Sequence, residues 1–328
     1  MEACRARVLR RRAVLASLGS LATFGIAHAQ PAGQVIRVVV GSPPGALGDV
    51  VARLMADKLR EVTGSSTIVD NKAGAAGLIA ADMVAKSAGD GATLLVAPDN
   101  VMVVNPLIYP KLPYNPDRDF RAIGLLGKAT LVLVANPGLG IKTMPELIKA
   151  AQARPDALVY SSGGIGHVTH IGVELINAKL GIKLRHVPYK GTSPALAAVV
   201  GGETNLMFLG LSGAMPQIRA GKLIPLAASG PAVKENFPGL PSLTDFHKDL
   251  DITVWFGIFA SAQTPPETAQ RLNAAVNNIL GQPDVVKRFT DYGMTTQPGT
   301  PADLDALVKS DTITFTPIIK SLNITPES

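Results

Sequence analysis

The chain has 328 residues, with 31 Lys and Arg against 25 Asp and Glu, and a single cysteine, Cys4. Arg5, Arg7, Arg10, Arg11, Arg12 and Cys4 all lie at the extreme N-terminus, so the remainder of the chain is near neutral and free of thiols. That balance argues against a nucleic-acid partner, a disulfide framework and cysteine chemistry.

The five arginines precede a small apolar run, 13–26, and Ala27-His28-Ala29 fits a small-x-small cleavage site. This is the layout of a secretory signal peptide over residues 1–29. Its apolar part is too short for a comfortable membrane span. No cysteine stands at the cleavage site, so the mature chain is expected in the periplasm, soluble and without a lipid anchor. The Arg11-Arg12 pair leaves the general and twin-arginine export routes both open. Removing 29 of the 328 residues leaves 299, enough for two lobes with sizeable cores.

Residues 35–40, VIRVVV, predict a strand. Residues 41–49, GSPPGALGD, are too rich in Gly and Pro for regular structure. From Val50 the apolar positions Val50, Val51, Leu54, Met55, Leu59 and Val62 follow one helical face, and Gly64 supplies a C-cap. Gly48 or Asp49 then lies near the helix N-cap. First-turn amides lack intrahelical partners, the helix dipole adds positive charge, and a loop poor in side chains admits a ligand to the backbone. Such a junction suits an anionic group. An ordinary turn in which Asp49 merely caps the helix fits the same residues.

A strand at 66–69, a small-residue loop at 70–77, an Ala-rich helix at 78–88 and a strand at 93–97 come next. Strands alternating with helices predict a mostly parallel sheet covered on both faces. Asp99 follows the third strand, at the sheet edge where open α/β folds bind ligands. Residues 105–120, with four prolines, read as an extended surface segment. The chain is expected to cross into a second lobe after residue 125.

The second lobe repeats the opening device. Residues 157–161 read as a strand, 162–166 (SGGIG) as a glycine loop, and 167–180 as an amphipathic helix with Val168, Ile171, Leu175 and Ile176 on its apolar face. Two such helix N-termini are placed to meet across a cleft. Strands at 183–188, 205–209 and 223–227, a helix at 193–200 and a Pro-rich loop at 231–242 continue the lobe. The apolar stretch 252–260 is the expected return. Helices at 267–280, at 283–292 and from 301 complete the first lobe. The predicted class is α/β, a two-lobed periplasmic binding fold of type II character, with lobes 30–125 plus 254–328 and 126–253.

Catalytic motifs are missing: no Gly-x-Gly-x-x-Gly after a strand, no Walker loop and no Gly-x-Ser-x-Gly elbow. His167 and His170, with Glu174 a turn further on, come nearest to a metal set but lack a fuller ligand spacing. No enzyme, metal or cofactor is expected. His170 reads as a hydrogen-bond donor at the helix start or as a half-buried ring, and Trp255, the only Trp, as a core or hinge packing residue, with ligand stacking the sharper alternative.

Several segments, in order, carry a resemblance. They are Pro43-Pro44-Gly45-x-x-x-Asp49, Asn71-x-x-Gly74-Ala75-x-Gly77, Asp90-Gly91-x-Thr93-Leu94-Leu95, Asn105-Pro106-x-x-Tyr109-x-x-Leu112-Pro113-Tyr114 with Asp119-Phe120, Ser162-x-Gly164-x-Gly166-x-x-x-His170, His186-Val187-Pro188-Tyr189-Lys190-Gly191, Trp255-Phe256-Gly257 and Ala269-x-Arg271-Leu272-Asn273. Together they resemble the periplasmic substrate-binding receptors of tripartite tricarboxylate transporters, the Bug family. The resemblance implies a monomeric two-lobed receptor without catalysis, closing on a small organic acid, and a partner permease of one large and one small subunit. It implies a carboxylate held through backbone amides and bridging waters. The loops that map are Pro44, Gly45, Ala46, Gly48 and Asp49, and Ser162, Gly166, His167, Thr169 and His170. A sensor signalling through a membrane histidine kinase would use the same fold. The chain departs from the family at Ser42 (commonly aromatic), Ala46 (Gly), Gly48 and His167 (Ser or Thr) and Leu209 (often Asp). Losing an acid and gaining a histidine favours a carboxylate without an ammonium group.

Overall fold

In the computed structural model, which describes residues 35–189, 191–230 and 239–321, the chain forms two sheets. The expected signal peptide and most of the Pro-rich loop expected at 231–242 lie outside the described residues. Strand β1 (Ile36–Val40) is followed by helix α1 (Leu47–Thr63), β2 (Thr67–Asn71), α2 (Leu78–Ala85) and β3 (Thr93–Pro98). Val38 and Val40 enter one hydrophobic cluster and Val39 another, as a strand covered on both faces requires. α1 ends at Gly64 in the left-handed conformation, φ 70°, as its cap position predicts.

Three short helices, α3 (Asp99–Met102), α4 (Asn105–Ile108) and α5 (Pro116–Asp119), lead to β4 (Phe120–Ala129). The second sheet is built from β5 (Leu131–Ala135), α6 (Met144–Ala153), β6 (Val159–Ser162), α7 (Val168–Leu180), β7 (Arg185–Pro188), α8 (Thr192–Gly201), β8 (Leu206–Gly210), α9 (Leu211–Arg219) and β9 (Ile224–Ser229). The chain returns through β10 (Val254–Ser261), α10 (Pro266–Leu280), α11 (Pro283–Asp291), β11 (Met294–Thr296) and α12 (Pro301–Ser321). No described helix is long and apolar enough to cross a membrane.

The sheets run β11-β4-β10-β3-β1-β2 and β7-β6-β8-β5-β9. In each, one strand (β1 or β6) lies between two parallel neighbours, and an antiparallel strand arriving from the other sheet (β10 or β5) is added beyond. The register shows where these strands enter. Phe256, early in β10, pairs with Pro98 at the end of β3, and Leu131, opening β5, pairs with Gly210 at the end of β8. Each crossing strand therefore starts at the edge where the parallel strands finish, which is also the edge that carries the glycine loop.

The crossing expected after residue 125 falls inside β4, which stays paired with β10 as far as Ala129. Thr130 alone separates β4 from β5. Its N–H donates to Gly293 O at 3.0 Å and its carbonyl accepts from Leu211 N–H at 2.9 Å. α12 packs on β4 and also on α7, so it straps the two lobes. Under it Trp255 is fully buried, and its Nε1–H donates to Asp311 Oδ2 at 2.7 Å.

Residues 105–120 are not the extended surface segment expected. Pro106 and Pro116 start helical turns, where a missing N–H costs nothing, and the Asn115 side chain accepts from Asp117 and Arg118 N–H. Tyr114 is buried and its hydroxyl donates to Val101 O at 2.6 Å. Tyr114→Phe should leave that carbonyl unpaired and destabilise the fold by about 1 kcal/mol in urea denaturation, with no change in m-value.

Candidate functional site

In the first loop, α1 begins one turn earlier than its apolar face suggests, with Ala46 as N-cap and Asp49 inside the first turn. Asp49 is 2% exposed. It accepts from Gly45 N–H at 2.9 Å, from Asn71 Nδ2 at 2.8 Å and from Arg53 Nε at 3.0 Å, and Arg53 also reaches its other oxygen. Burial pushes the carboxyl up, but the hydrogen bonds from Arg53, Gly45 and Asn71 outweigh it and hold it below the usual range. Asn71, which ends β2, also donates to Ser42 O at 3.0 Å. Asp49 is thus spent on the protein and shapes the loop. Pro44 and Gly45 are exposed beside it, Gly45 with φ 84°. The ladder of α1 begins with Val50 N–H donating to Ala46 O. The amides of Leu47, Gly48 and Asp49 have no backbone partner among the described residues.

Beside this loop a cavity of about 170 Å³ opens at the ends of β1 and β3, lined by Gly41, Ser42, Ala76, Gly77, Pro98 and Asn100 among others, with no charged side chain. Gly41 and Gly77 pack backbone to backbone: a Cβ on Gly41 would lie 2.7 Å from Gly77 Cα. Ala75 and Ala76 are left-handed, φ 46° and 52°, a strain of about 1–2 kcal/mol each. The strain is held by Asn100 and Asn105, whose amides both donate to Ala76 O, at 3.2 and 3.0 Å. Strained backbone of this kind clusters at functional sites. Ser42 accounts for one departure in the loop, since a Cβ on Gly48 would lie 2.5 Å from Ser42 Oγ. The hydroxyl missing at 48 has a counterpart at 42.

Asp99 does not line that cavity. It is 3% exposed, and burial, with the charge of Asp311 adding to it, pushes its carboxyl up to about 8. The side chain is coupled to the α12 strap, where Asp311 receives Trp255.

The second loop is organised differently. Gly163 N–H donates to Thr169 Oγ1 at 2.9 Å, Gly164 N–H to Ser162 Oγ at 3.1 Å and Gly166 N–H to His170 Nδ1 at 3.1 Å. His167 is the N-cap of α7, and its Nδ1 accepts from Thr169 N–H at 3.2 Å. So Ser162, Thr169 and His170 clasp the loop's own amides. His170 accepts at Nδ1 where the sequence suggested a donor. Four side chains on one loop leave Ile165 and Val168 N–H without a partner among the described hydrogen bonds.

Sequence reasoning assigned no role to Ser42, Arg53, Asn71, the 75–77 turn, Asn100, Asn105 or His186. The i,i+4 spacing of Asp49 and Arg53 was a usable signal. Asn71, Asn105 and His186 stood in the segments that carry the resemblance. Among the described residues, no three His, Cys, Asp or Glu are placed to hold a metal.

Two α/β sheets of matching order, joined by paired crossings and each bearing a glycine loop on the adjoining edge, define a two-lobed receptor of the periplasmic binding type. The chain belongs to the TctC family, the tripartite tricarboxylate transporter family receptors, whose profile matches residues 51–324. It is 32% identical to protein BugT of Bordetella pertussis over 287 residues, 86% of this chain and 88% of BugT. Among solved structures it is similar to R. palustris Rpa4515 with adipate, at 28% identity and TM-score 0.77 over 91% of this chain and all of that one. It is also similar to MatC from Rhodopseudomonas palustris with bound malate, at 31% identity and TM-score 0.73 over 88% of this chain and 99% of MatC.

Asp49→Ala strips the acceptor from Gly45, Asn71 and Arg53 at once, and should destabilise the protein by about 1–3 kcal/mol in chemical denaturation without abolishing folding. Asp99 gives a pH signature. Its carboxyl holds its proton more tightly folded than unfolded, so stability falls as pH rises from about 4, where the unfolded group titrates, to about 8. Asp99→Asn should therefore melt higher than wild type at neutral pH, with the gain disappearing near pH 4.

Proposed function

We propose that the chain is an exported periplasmic receptor, monomeric and without catalytic activity. It takes a small carboxylate lacking an ammonium group between its lobes and hands it to a membrane permease of one large and one small subunit. The observation that carries the reading is the pairing of Phe256 with Pro98 and of Leu131 with Gly210. It sets both glycine loops on the sheet edges that adjoin the crossings, where two lobes closing on each other would enclose a ligand. Pro44, Gly45, Ala46 and Gly48 then frame the first loop, and Gly166, His167, Thr169 and His170 the second. Adipate and malate, held by the similar proteins Rpa4515 and MatC, belong to the same ligand class.

Magnitudes favour joint capture. Amides of the α1 first turn contribute roughly 1.5–3 kcal/mol each to a carboxylate. Three of them give about 4.5–9 kcal/mol gross, whereas micromolar binding needs about 8 kcal/mol net, after association costs. One loop alone is too weak; both loops with the uncharged lining of Ser42, Ala76 and Asn100 are enough.

A thermal-shift screen of mono-, di- and tricarboxylates against amino acids and sugars tests this. A carboxylate at 100 times its dissociation constant should stabilise by about 2.7 kcal/mol, several degrees in Tm. Shifts with amino acids or sugars and none with simple acids would discard the ligand assignment. In Asp49→Ala the carboxylate shift should shrink with the loop's order.

A further inference from the structure

Three rings stack behind the second loop: Tyr160 on β6, His186 on β7 and His170 on α7. The His170 and His186 centroids are 3.9 Å apart with planes at 12°, and the Tyr160 and His186 centroids 4.9 Å apart at 23°. The strand register puts Tyr160 and His186 side by side. His186 Nε2 lies 2.6 Å from Ser162 Oγ, the atom that receives Gly164 N–H and also lies 3.2 Å from Gly164 O. A neutral His186 allows the Ser162 hydroxyl to point either way. A protonated one must donate from Nε2, so Ser162 must donate to Gly164 O, and the loop is held in one hydrogen-bond direction.

Among the described residues facing the stack, no carboxylate makes a hydrogen bond or ion pair with either histidine ring; His186 reaches only Ser162. From α7 come His167, His170 and Glu174. Glu174 is taken by the Tyr160 hydroxyl at 2.5 Å and by Asn177. From β6 comes Tyr160 itself, and beyond β7 Tyr189, whose hydroxyl donates to Glu203. α8 (Thr192–Gly201) carries no titratable side chain. His170 is 6% exposed, and its Nε2 has no hydrogen-bond partner among the described residues. Burial pushes His186 down to about 4; burial and then His186 and His167 push His170 down to about 3. Both rings are therefore neutral near pH 7.

We propose that His186 is a positioning residue that couples carboxylate capture at the second loop to the uptake of one proton from solvent. The inference rests on the carboxylate reading above. An anion arriving at the loop brings negative charge to the Ser162 side of His186, where no described carboxylate lies in contact, and protonated His186 then fixes Ser162 and Gly164 around it. Affinity should rise as pH falls.

Malate and adipate are the probes, titrated calorimetrically into wild type and His186→Gln at about pH 5.5 and about pH 7.5 in two buffers of different ionisation heat. Gln keeps a polar group toward Ser162 and does not titrate. The ratio of wild-type to variant affinity should grow from the higher to the lower pH, towards a limit of about tenfold per pH unit for one proton, because the ligand's own titration cancels in the ratio. Buffer-dependent proton uptake should be larger in wild type. A constant ratio with equal uptake overturns the coupling while leaving carboxylate binding intact. If His186→Gln does not fold, wild type alone decides: uptake beyond malate's own titration supports the proposal, and uptake equal to it overturns it. Binding of no carboxylate at any pH would overturn both readings.

Discussion

The first lobe's glycine loop depends on one buried carboxylate. Asp49 gathers Gly45 from the loop, Arg53 from the next turn of α1 and Asn71 from the end of β2. Asn71 in turn holds Ser42. A glycine- and proline-rich loop has few side chains of its own to set its course, so an internal anion with converging donors sets it. Both oxygens of Asp49 are engaged by these donors. Its negative charge is answered locally by Arg53, and the first-turn amides of α1 remain available.

Both sheets carry their glycine loop at the edge where a crossing strand enters. Each gains an antiparallel strand from the other half of the chain, and each such strand enters where the parallel strands end. The glycine loops are thereby tied to the crossings. The α12 strap spans both lobes and is anchored by the hydrogen bond from Trp255 to Asp311. One hydrophobic cluster runs from Val39 and Leu95 through Leu131 and Trp255 to Phe315, so the two lobes share packing as well as chain.

The two loops do not work alike. The first keeps backbone donors open and lines a cavity free of charged side chains. The second closes most of its donors on Ser162, Thr169, His167 and His170. Behind it the rings of Tyr160, His186 and His170 are stacked. The departures from the family pattern fall into this contrast. Ser42 sits where a larger residue at 48 would collide, and His167 caps the helix through a ring nitrogen in place of a hydroxyl.

Much was legible from local pattern. β1, α1 with its Gly64 cap, α7 with Gly181 behind it and α10 behind its prolines follow from periodicity and end signals, which act over a few residues. Both glycine loops and the family were readable in the same way, from short ordered segments. The extent of β4 was not, because its last residues are held by β10 and β11, far along the chain. The turns within 105–120 were missed because Tyr114 and Asn105 reach back to Val101 and Ala76. Nor could the sequence show that Asp49 would be consumed by Asn71, that Asp99 would be coupled to Asp311, or that His186 would lie between Tyr160 and His170. The amino-acid order by itself determined the elements, the paired loops and the kinship. Which amides stay open and which side chains close them was decided only by the tertiary structure, because a hydrogen bond selects its partner by proximity in space and not along the chain.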